Sequence, residues 1–119
     1  HGSSNWYGFG FITYSNKAKL KSLGVTKDTL MEVGAVSERV VKEMAEGALR
    51  YSGSDFAISI SGIAGPTGGT DDKPVGTVCF GVGSQDNINC FTECFEGDRD
   101  EVRKQSVAFA LKELLKCLQ

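Results

Sequence analysis

A long loop over residues 61–77 constrains this chain more than any other stretch of it. The loop contains both prolines of the sequence and five of its fifteen glycines. The apolar runs at residues 56–60 and 75–80 lead into it and out of it, which is typical of buried strands. The sequence therefore predicts a loop that joins two strands and is much longer than a hairpin turn.

The composition of the loop favours a ligand-binding role. A residue without a Cβ atom can adopt a positive φ and bring its backbone N–H close to a ligand. The two prolines stiffen the chain, and long loops without a function are uncommon in compact domains. A flexible surface connection is the alternative reading. The glycines available to a ligand are Gly62, Gly65, Gly68 and Gly69.

The length and charge of the chain exclude several classes of protein. With 119 residues, it is long enough for one domain with a real core, which we assign to residues 1–119. A formal net charge of −2 argues against a dedicated nucleic-acid binder, which normally needs a basic face. We find no apolar run of membrane-spanning length and no signal peptide. We therefore expect a cytoplasmic protein without a membrane partner.

The cysteines do not have the spacing of a zinc site. No CxxC pair is present, and His1 is the only histidine. We predict buried structural thiols and neither a metal nor another cofactor. Cys90 and Cys94 are expected to share one face of a strand. The four cysteines are Cys79, Cys90, Cys94 and Cys117.

The hydrophobic pattern predicts alternating strands and helices. The order strand, helix, strand at the start implies a parallel crossover, whereas the short polar turn at residues 84–87 implies an antiparallel pair. We therefore predict a mixed sheet in an α/β fold. The predicted strands cover residues 9–14, 56–60, 75–82 and 88–95, and the predicted helices cover residues 17–23, 37–51 and a last helix that begins near residue 98.

The two longer helices carry recognisable ends and apolar faces. Ser37 is a typical N-cap and Gly53 a typical terminator, while Asp98 with Glu101 fits a capping box. For the first of these helices we predict a buried face of Val40, Val41, Met44, Ala45, Ala48 and Leu49. For the last helix we predict a buried face of Val102, Phe109, Leu111, Leu114, Leu115 and Leu118.

Two groups of polar residues are candidates for a site. Arg99 and Arg103 share a face at the start of the last helix, where an anion such as phosphate would bind favourably. The alternative is that they only offset nearby acidic residues. Tyr14, Asn16 and Lys19 follow the first strand closely enough to share one site. By spacing alone, Tyr14 is equally a core ring and Lys19 part of a solvated helix face.

Four motifs together resemble a known family. They are YSNKAK at residues 14–19, GAVSE at 34–38, SGIAGPTGG with KPVGTV in the loop, and GDRDEVR at 97–103. In this order they resemble the C-terminal domain of the competence-damage-inducible CinA proteins, which also occurs alone as nicotinamide mononucleotide deamidase. The resemblance covers nearly the whole chain.

The resemblance implies a three-layer α/β/α sandwich and an amidohydrolase. The implied reaction converts the carboxamide of nicotinamide mononucleotide, a linear amide, into nicotinate mononucleotide and ammonia, with a lysine in place of a histidine. By position, Lys19 corresponds to the catalytic base or proton shuttle and Tyr14 to its neighbour. The residues implied to bind substrate are Asn16, Ser61, Gly62, Ala64, Gly65, Arg99 and Arg103.

One departure from the family leaves an alternative open. The family's nucleophilic serine belongs to an upstream E-S-C-T-G-G stretch, preceded by a helix and a strand, which residues 1–119 do not contain. We therefore expect either an amidohydrolase recorded without that segment or a catalytically incomplete nucleotide-binding or assembly domain. An uncovered sheet edge and apolar surface would favour homo-oligomers.

Overall fold

A computed structural model of the protein describes Thr26, Asp28 and residues 34–118. In these residues, one helix precedes three consecutive strands and a second long helix follows them. None of the helices in this part of the chain is long and apolar enough to cross a membrane. The elements are α1 (Glu38–Ser52), β1 (Ala57–Gly62), β2 (Thr77–Ser84), β3 (Asn87–Cys94) and α2 (Arg99–Cys117).

Helix α1 has the ends that the sequence predicts. The Ser37 side chain accepts a hydrogen bond from the Val40 backbone N–H at 3.2 Å, which satisfies one of the free donors of the first turn. Gly53 ends the helix in the left-handed conformation, with a φ of 68°. All six residues of the predicted apolar face are buried, which confirms that prediction.

The three described strands form an antiparallel sheet in the order β1, β2, β3. Ile60 pairs with Phe80 of β2, which in turn pairs with Phe91 of β3. The predicted antiparallel pair β2 and β3 is therefore confirmed. The strand predicted at residues 9–14, which would make the sheet mixed, lies outside the described residues and stays a prediction.

The helices cover opposite faces of the sheet, which makes three layers. On one face, α1 packs against Ala57 and Cys79. On the other face, Val102 and Ala110 of α2 belong to a cluster with Phe80 of β2. Because successive side chains of a strand point to opposite faces of the sheet, each strand contributes side chains to both hydrophobic cores. The described residues thus have the α/β architecture that the sequence predicts.

Helix α2 begins with the predicted capping box. The Asp98 carboxylate accepts from the Glu101 backbone N–H at 2.9 Å, and the Glu101 carboxylate accepts from the Asp98 N–H at 2.9 Å. Each side chain satisfies a backbone donor that the helix leaves free. The first turn of α2, including Arg99, is therefore held at a defined place beside the sheet.

The predicted apolar face of α2 is wrong in part. Val102 is buried, but Leu111 and Leu115 are 51% and 60% exposed. The helix turns its small residues Ser106 and Ala110 to the sheet, and Leu111 lies about 100° further round the helix than Ala110. Small residues at the centre of the contact let the helix lie close to the strands. Of the other predicted residues, Phe109 and Leu114 pack against the core and Leu118 is half-buried.

The thiols differ in burial more than the sequence predicts. All four cysteines are free. Cys79 is buried, Cys90 and Cys117 are half-buried, and Cys94 is exposed, so the prediction is wrong for Cys94. Cys94 ends the outer strand β3, where α1 no longer covers the sheet face. Burial raises the pKa of the Cys79 and Cys90 thiols, because an apolar surrounding disfavours the thiolate.

We predict that the capping box stabilises α2 through its hydrogen bonds. Replacing Asp98 by alanine should lower the free energy of unfolding by about 1 kcal/mol, because the Glu101 N–H loses its partner. Asp98→Asn is the matched control, since its side chain keeps an accepting oxygen. Urea denaturation followed by circular dichroism measures both variants. If both variants lose the same free energy of unfolding, the source of the stability is the negative charge of Asp98 and not its hydrogen bond.

Candidate active site

The glycine-rich loop over residues 63–76 extends the ladder between β1 and β2. The Ile63 N–H donates to the Thr77 carbonyl at 2.9 Å, and the Gly76 N–H donates to the Ile63 carbonyl at 2.7 Å. These bonds bring the two ends of the loop together. The loop therefore emerges from one end of the sheet on a base that is part of the strand pairing.

The second half of the loop carries its own hydrogen bonds. The Thr70 N–H donates to the Lys73 carbonyl at 2.9 Å, and the Thr70 hydroxyl accepts from the Lys73 N–H at 3.1 Å. Thr77 donates both its N–H and its hydroxyl to the Pro74 carbonyl. These contacts give the loop a defined shape, which suits a binding surface better than a flexible connection.

Close packing around Val75 explains two of the loop glycines. A Cβ atom on Gly65 would lie 2.6 Å from Val75 Cγ1, and one on Gly69 would lie 2.6 Å from the Val75 backbone nitrogen. Gly65 also has a φ of 87°, a conformation that side chains rarely adopt. The Gly65–Pro66 peptide bond is cis. The two glycines therefore let the loop fold over Val75.

Arg99 connects the start of α2 to this loop. Its Nη1 atom donates a hydrogen bond of 3.0 Å to the Gly65 carbonyl. A guanidinium group has five N–H donors, so this bond leaves others for a ligand. Arg103 lies one turn later and is exposed. The structure thus brings the predicted residues Arg99 and Gly65 into contact, beside a helix N-terminus that favours anions.

Ser61 connects the end of β1 to the segment before α1. Its hydroxyl donates to the Ala35 carbonyl at 2.8 Å, and the residue is only 7% exposed. Gly62 follows at the strand end, and a Cβ atom on it would lie 2.8 Å from Val78 Cγ2. Ala64 is half-buried and packs against the core beneath α2. Ser61, Gly62 and Ala64, which the sequence predicts to bind substrate, therefore lie where the loop joins β1.

A group of polar side chains lies on the α1 side of this end of the sheet. The Thr92 hydroxyl donates to Glu38 Oε2 at 2.7 Å and lies 3.5 Å from the Cys79 sulfur. The pKa of Cys79 is raised, first by burial and also by the Glu38 carboxylate, while Thr92 and Lys73 act in the opposite direction. The Lys73 ammonium group and the Glu38 carboxylate thus both lie near this thiol.

Residues 34–38, 61–77 and 97–103, which carry three of the sequence motifs, meet at one end of the sheet. The contacts are Ser61 with Ala35 and Arg99 with Gly65. The sequence reasoning missed Lys73, although its place in the KPVGTV motif was a signal. Its Nζ atom lies 3.7 Å from the position that a Cβ on Gly34 would take. The predicted residues Tyr14, Asn16 and Lys19 lie outside the described residues.

A cavity of about 360 Å³ lies at the opposite end of the strands. It is bounded by the β2–β3 turn and by the last turns of α2. None of the predicted site residues within the described part of the chain lines it. We therefore place the candidate site at the glycine-rich loop, where the motifs meet. Residues that line the cavity include Phe56, Asn87, Asn89, Phe91 and Cys117.

Comparisons with known proteins agree with the motifs. The model of the CinA C-terminal domain family matches residues 1–118. The chain is 54% identical over 114 residues to proteins named nicotinamide-nucleotide amidohydrolase PncC from Shigella flexneri and from Escherichia coli K12, covering 95% of this chain and 69% of each relative. It is 50% identical over 117 residues to a putative competence-damage inducible protein of Caldicellulosiruptor saccharolyticus, covering 98% of this chain but 28% of that protein.

Solved structures show the same architecture. A competence/damage inducible protein, CihA, from Agrobacterium tumefaciens superposes with a TM-score of 0.88 and 40% identity, over 92% of this chain and 68% of that one. A competence or damage-inducible protein from Enterobacter asburiae superposes with a TM-score of 0.87 and 41% identity, over 92% and 69% of the two chains. These likenesses extend well beyond the loop.

We predict that contact with Val75, in addition to backbone conformation, requires glycine at position 65. Gly65→Ala should lower the free energy of unfolding by about 1–3 kcal/mol beyond the loss in Gly68→Ala. Gly68 is the matched control because its φ is 100°, yet a Cβ there would lie 3.5 Å from Ile63. Thermal denaturation measures the difference.

The double variant with Val75→Ala separates the two contributions. Removing Cγ1 makes room for the new methyl group, so the loss from Gly65→Ala should be smaller in a Val75→Ala background. The single Val75→Ala variant completes the cycle. If the losses of unfolding free energy in the two single variants simply add in the double variant, the proposed contact between position 65 and Val75 is contradicted.

Proposed function

Because the chain belongs to the CinA C-terminal domain family, we propose that it is the substrate-binding part of a nicotinamide-nucleotide amidohydrolase in pyridine nucleotide salvage. In the proposed net reaction, water hydrolyses the carboxamide of nicotinamide mononucleotide. The C–N bond breaks, and nicotinate mononucleotide and ammonia leave. The observation that carries this proposal is the contact between Arg99 and the Gly65 carbonyl, which places a cation beside the glycine-rich loop.

The chemistry assigns separate tasks to the residues of the site. Amide hydrolysis needs an activated nucleophile and donors for the negative charge that develops on the carbonyl oxygen. Backbone N–H groups of the loop are suited to the second task. Arg99 and the N-terminus of α2 are suited to holding the 5′-phosphate. Lys19 as the base and Tyr14 as its neighbour complete the proposal.

The contacts of Ser61 support a role in holding the loop and count against a role as the nucleophile. Its hydroxyl proton is directed to the Ala35 carbonyl, and the residue is buried. A nucleophilic serine needs a base that accepts this proton. We therefore propose that the attacking serine is the one in the family's E-S-C-T-G-G stretch, and that Ser61 holds the loop against the segment before α1.

This placement of Ser61 also favours a second candidate function. The chain would then bind nicotinamide mononucleotide without hydrolysing it, as a nucleotide-binding module. The two functions differ in one measurement, which is ammonia release from bound substrate. In a chain extended to include the E-S-C-T-G-G stretch, calorimetry that detects nucleotide binding without any ammonia release supports the binding module.

We predict that Arg99 governs the affinity for the nucleotide. Arg99→Gln should weaken binding of nicotinamide mononucleotide roughly tenfold or more, because a hydrogen bond to a charged group is lost. Arg103→Gln, one turn away and without a described contact to the loop, should weaken it far less. Isothermal titration calorimetry on residues 1–119 gives both values, and ammonia release is measured beside the Escherichia coli relative. If the unmodified chain neither binds nor hydrolyses the nucleotide while that relative does, the proposed function is wrong.

We also propose that the protein self-associates through the uncovered side of α2. Val107, Leu111 and Leu115 lie one turn apart and are 53%, 51% and 60% exposed. Ile58 and Ile60 on the same face of the sheet are only half-buried. Covering apolar surface is favourable at roughly 25 cal/mol per Å².

Light scattering tests this proposal. We expect the unmodified chain to exceed the monomer mass, and Leu111→Gln with Leu115→Gln to shift it towards the monomer. Lys112→Gln, a polar change on the same helix, is the control and should leave the mass unchanged. A monomer at all concentrations of the unmodified chain would contradict self-association.

A further inference from the structure

The glycine-rich loop is contacted from both sides of the sheet. On the α2 side, Arg99 donates to the Gly65 carbonyl at 3.0 Å. On the α1 side, Lys73 extends from the loop to the segment before α1, where its Nζ atom lies 3.7 Å from the Cβ position of Gly34. The loop is therefore approached by Arg99 from the start of α2, and its own Lys73 reaches the segment before α1.

The position of Lys73 is defined by its own backbone. Its N–H and its carbonyl both bond to Thr70, at 3.1 Å and 2.9 Å. The side chain is half-buried. Because the backbone is already ordered, a contact of the ammonium group costs only the entropy of the lysine side chain. The ammonium group can thus act as a fixed charge at the edge of the loop.

The segment that Lys73 approaches is itself held in place. The Gly34 carbonyl accepts from the Ser37 hydroxyl at 3.1 Å, and Ser37 caps α1. The Ala35 carbonyl accepts from Ser61 at 2.8 Å. The Lys73 ammonium group thus lies beside a segment that is bonded to both α1 and β1.

Lys73 and Glu38 both act electrostatically on the Cys79 thiol, on the α1 side of the sheet. Glu38 lies in the first turn of α1, and its carboxylate and the Lys73 ammonium group have opposite effects on the pKa of Cys79, a pKa that burial raises most. Glu38 is oriented by the hydrogen bond from Thr92.

We propose that Lys73 is a positioning residue of the candidate site: its ammonium group beside Gly34 fixes the glycine-rich loop relative to the segment before α1. The proposal rests on the proposed function for its consequence in catalysis. Donors that stabilise a developing charge act strongly only when they are held in place beforehand. A loop released on the α1 side would carry its N–H groups away from the substrate oxygen, while Arg99 would still hold Gly65.

Two substitutions of Lys73 separate the effect of its charge from the effect of its side-chain size. Lys73→Met keeps the length of the side chain and removes the charge, whereas Lys73→Arg keeps the charge. In the deamidation of nicotinamide mononucleotide by a chain extended to include the E-S-C-T-G-G stretch, we expect Lys73→Met to lower kcat roughly tenfold to a hundredfold, as small misplacements do. KM should change much less, and Lys73→Arg should recover most of kcat. Lys112→Met, an exposed lysine of α2, should have no effect.

A second readout does not depend on activity. Amide hydrogen exchange at Thr70 and Gly76 reports on the loop, and both amides donate within it. We expect exchange there to be at least tenfold faster in Lys73→Met and close to normal in Lys73→Arg, with exchange in α2 unchanged. If a chain extended to include the E-S-C-T-G-G stretch does not hydrolyse the nucleotide, the proposed function fails, and exchange in residues 1–119 still decides the role of Lys73.

Two results would overturn the proposal. One is loop exchange in Lys73→Met that equals that of the unmodified chain, since the ammonium group would then not fix the loop. The other is a normal kcat in an active chain that carries Lys73→Met, since the loop would then not need this contact for catalysis. A kcat loss that Lys73→Arg does not relieve would assign the effect to side-chain shape and would also count against it.

Discussion

The shape of the glycine-rich loop depends on the space between Gly65 and Val75. A Cβ on Gly65 would lie 2.6 Å from Val75 Cγ1, far inside ordinary contact. Because the loop folds back this tightly, the Gly65 carbonyl comes within reach of Arg99 in the first turn of α2. The contact between the loop and α2 therefore depends on tight packing inside the loop. That packing is possible only because residue 65 has no side chain.

The two sides of the sheet contribute differently to this end of the molecule. On the α1 side, β1 turns small polar groups inward, and Ser59 and Ser61 donate to backbone carbonyls of Val41 and Ala35. On the α2 side, the core is built from aromatic rings, with Phe80 and Phe109 centred 4.6 Å apart. Directional hydrogen bonds thus add to apolar packing in positioning α1, whereas packing of aromatic rings predominates beneath α2.

Local patterns in the sequence predicted much of the fold. Ser37 and Gly53 end α1 as expected, and Asp98 with Glu101 begins α2, because caps depend on residues a few positions apart. Leu111 was assigned to the core wrongly. Apolar spacing shows that a helix has a buried face, but the rotation that presents Ser106 and Ala110 to the sheet depends on distant strands.

The candidate site was predictable to a smaller extent. The motifs indicated Gly65 and Arg99, and the structure brings them into contact. Lys73 was not singled out, because its neighbour Gly34 is far away in the sequence and only the fold brings the two together. Tyr14 and Lys19 lie outside the described residues, so the roles assigned to them remain predictions.

Because the thiols are unequally buried, an exposed one can be labelled chemically to follow the loop. Cys94 is exposed and pairs across the sheet with Thr77, the residue at which the loop rejoins β2. Cys79 is only 2% exposed, and the raised pKa keeps its thiol protonated and unreactive near neutral pH. A maleimide fluorophore would therefore reach Cys94 well before Cys79. The emission of the fluorophore would then report on the conformation of the loop. Cys94 takes part in none of the contacts described for the candidate site.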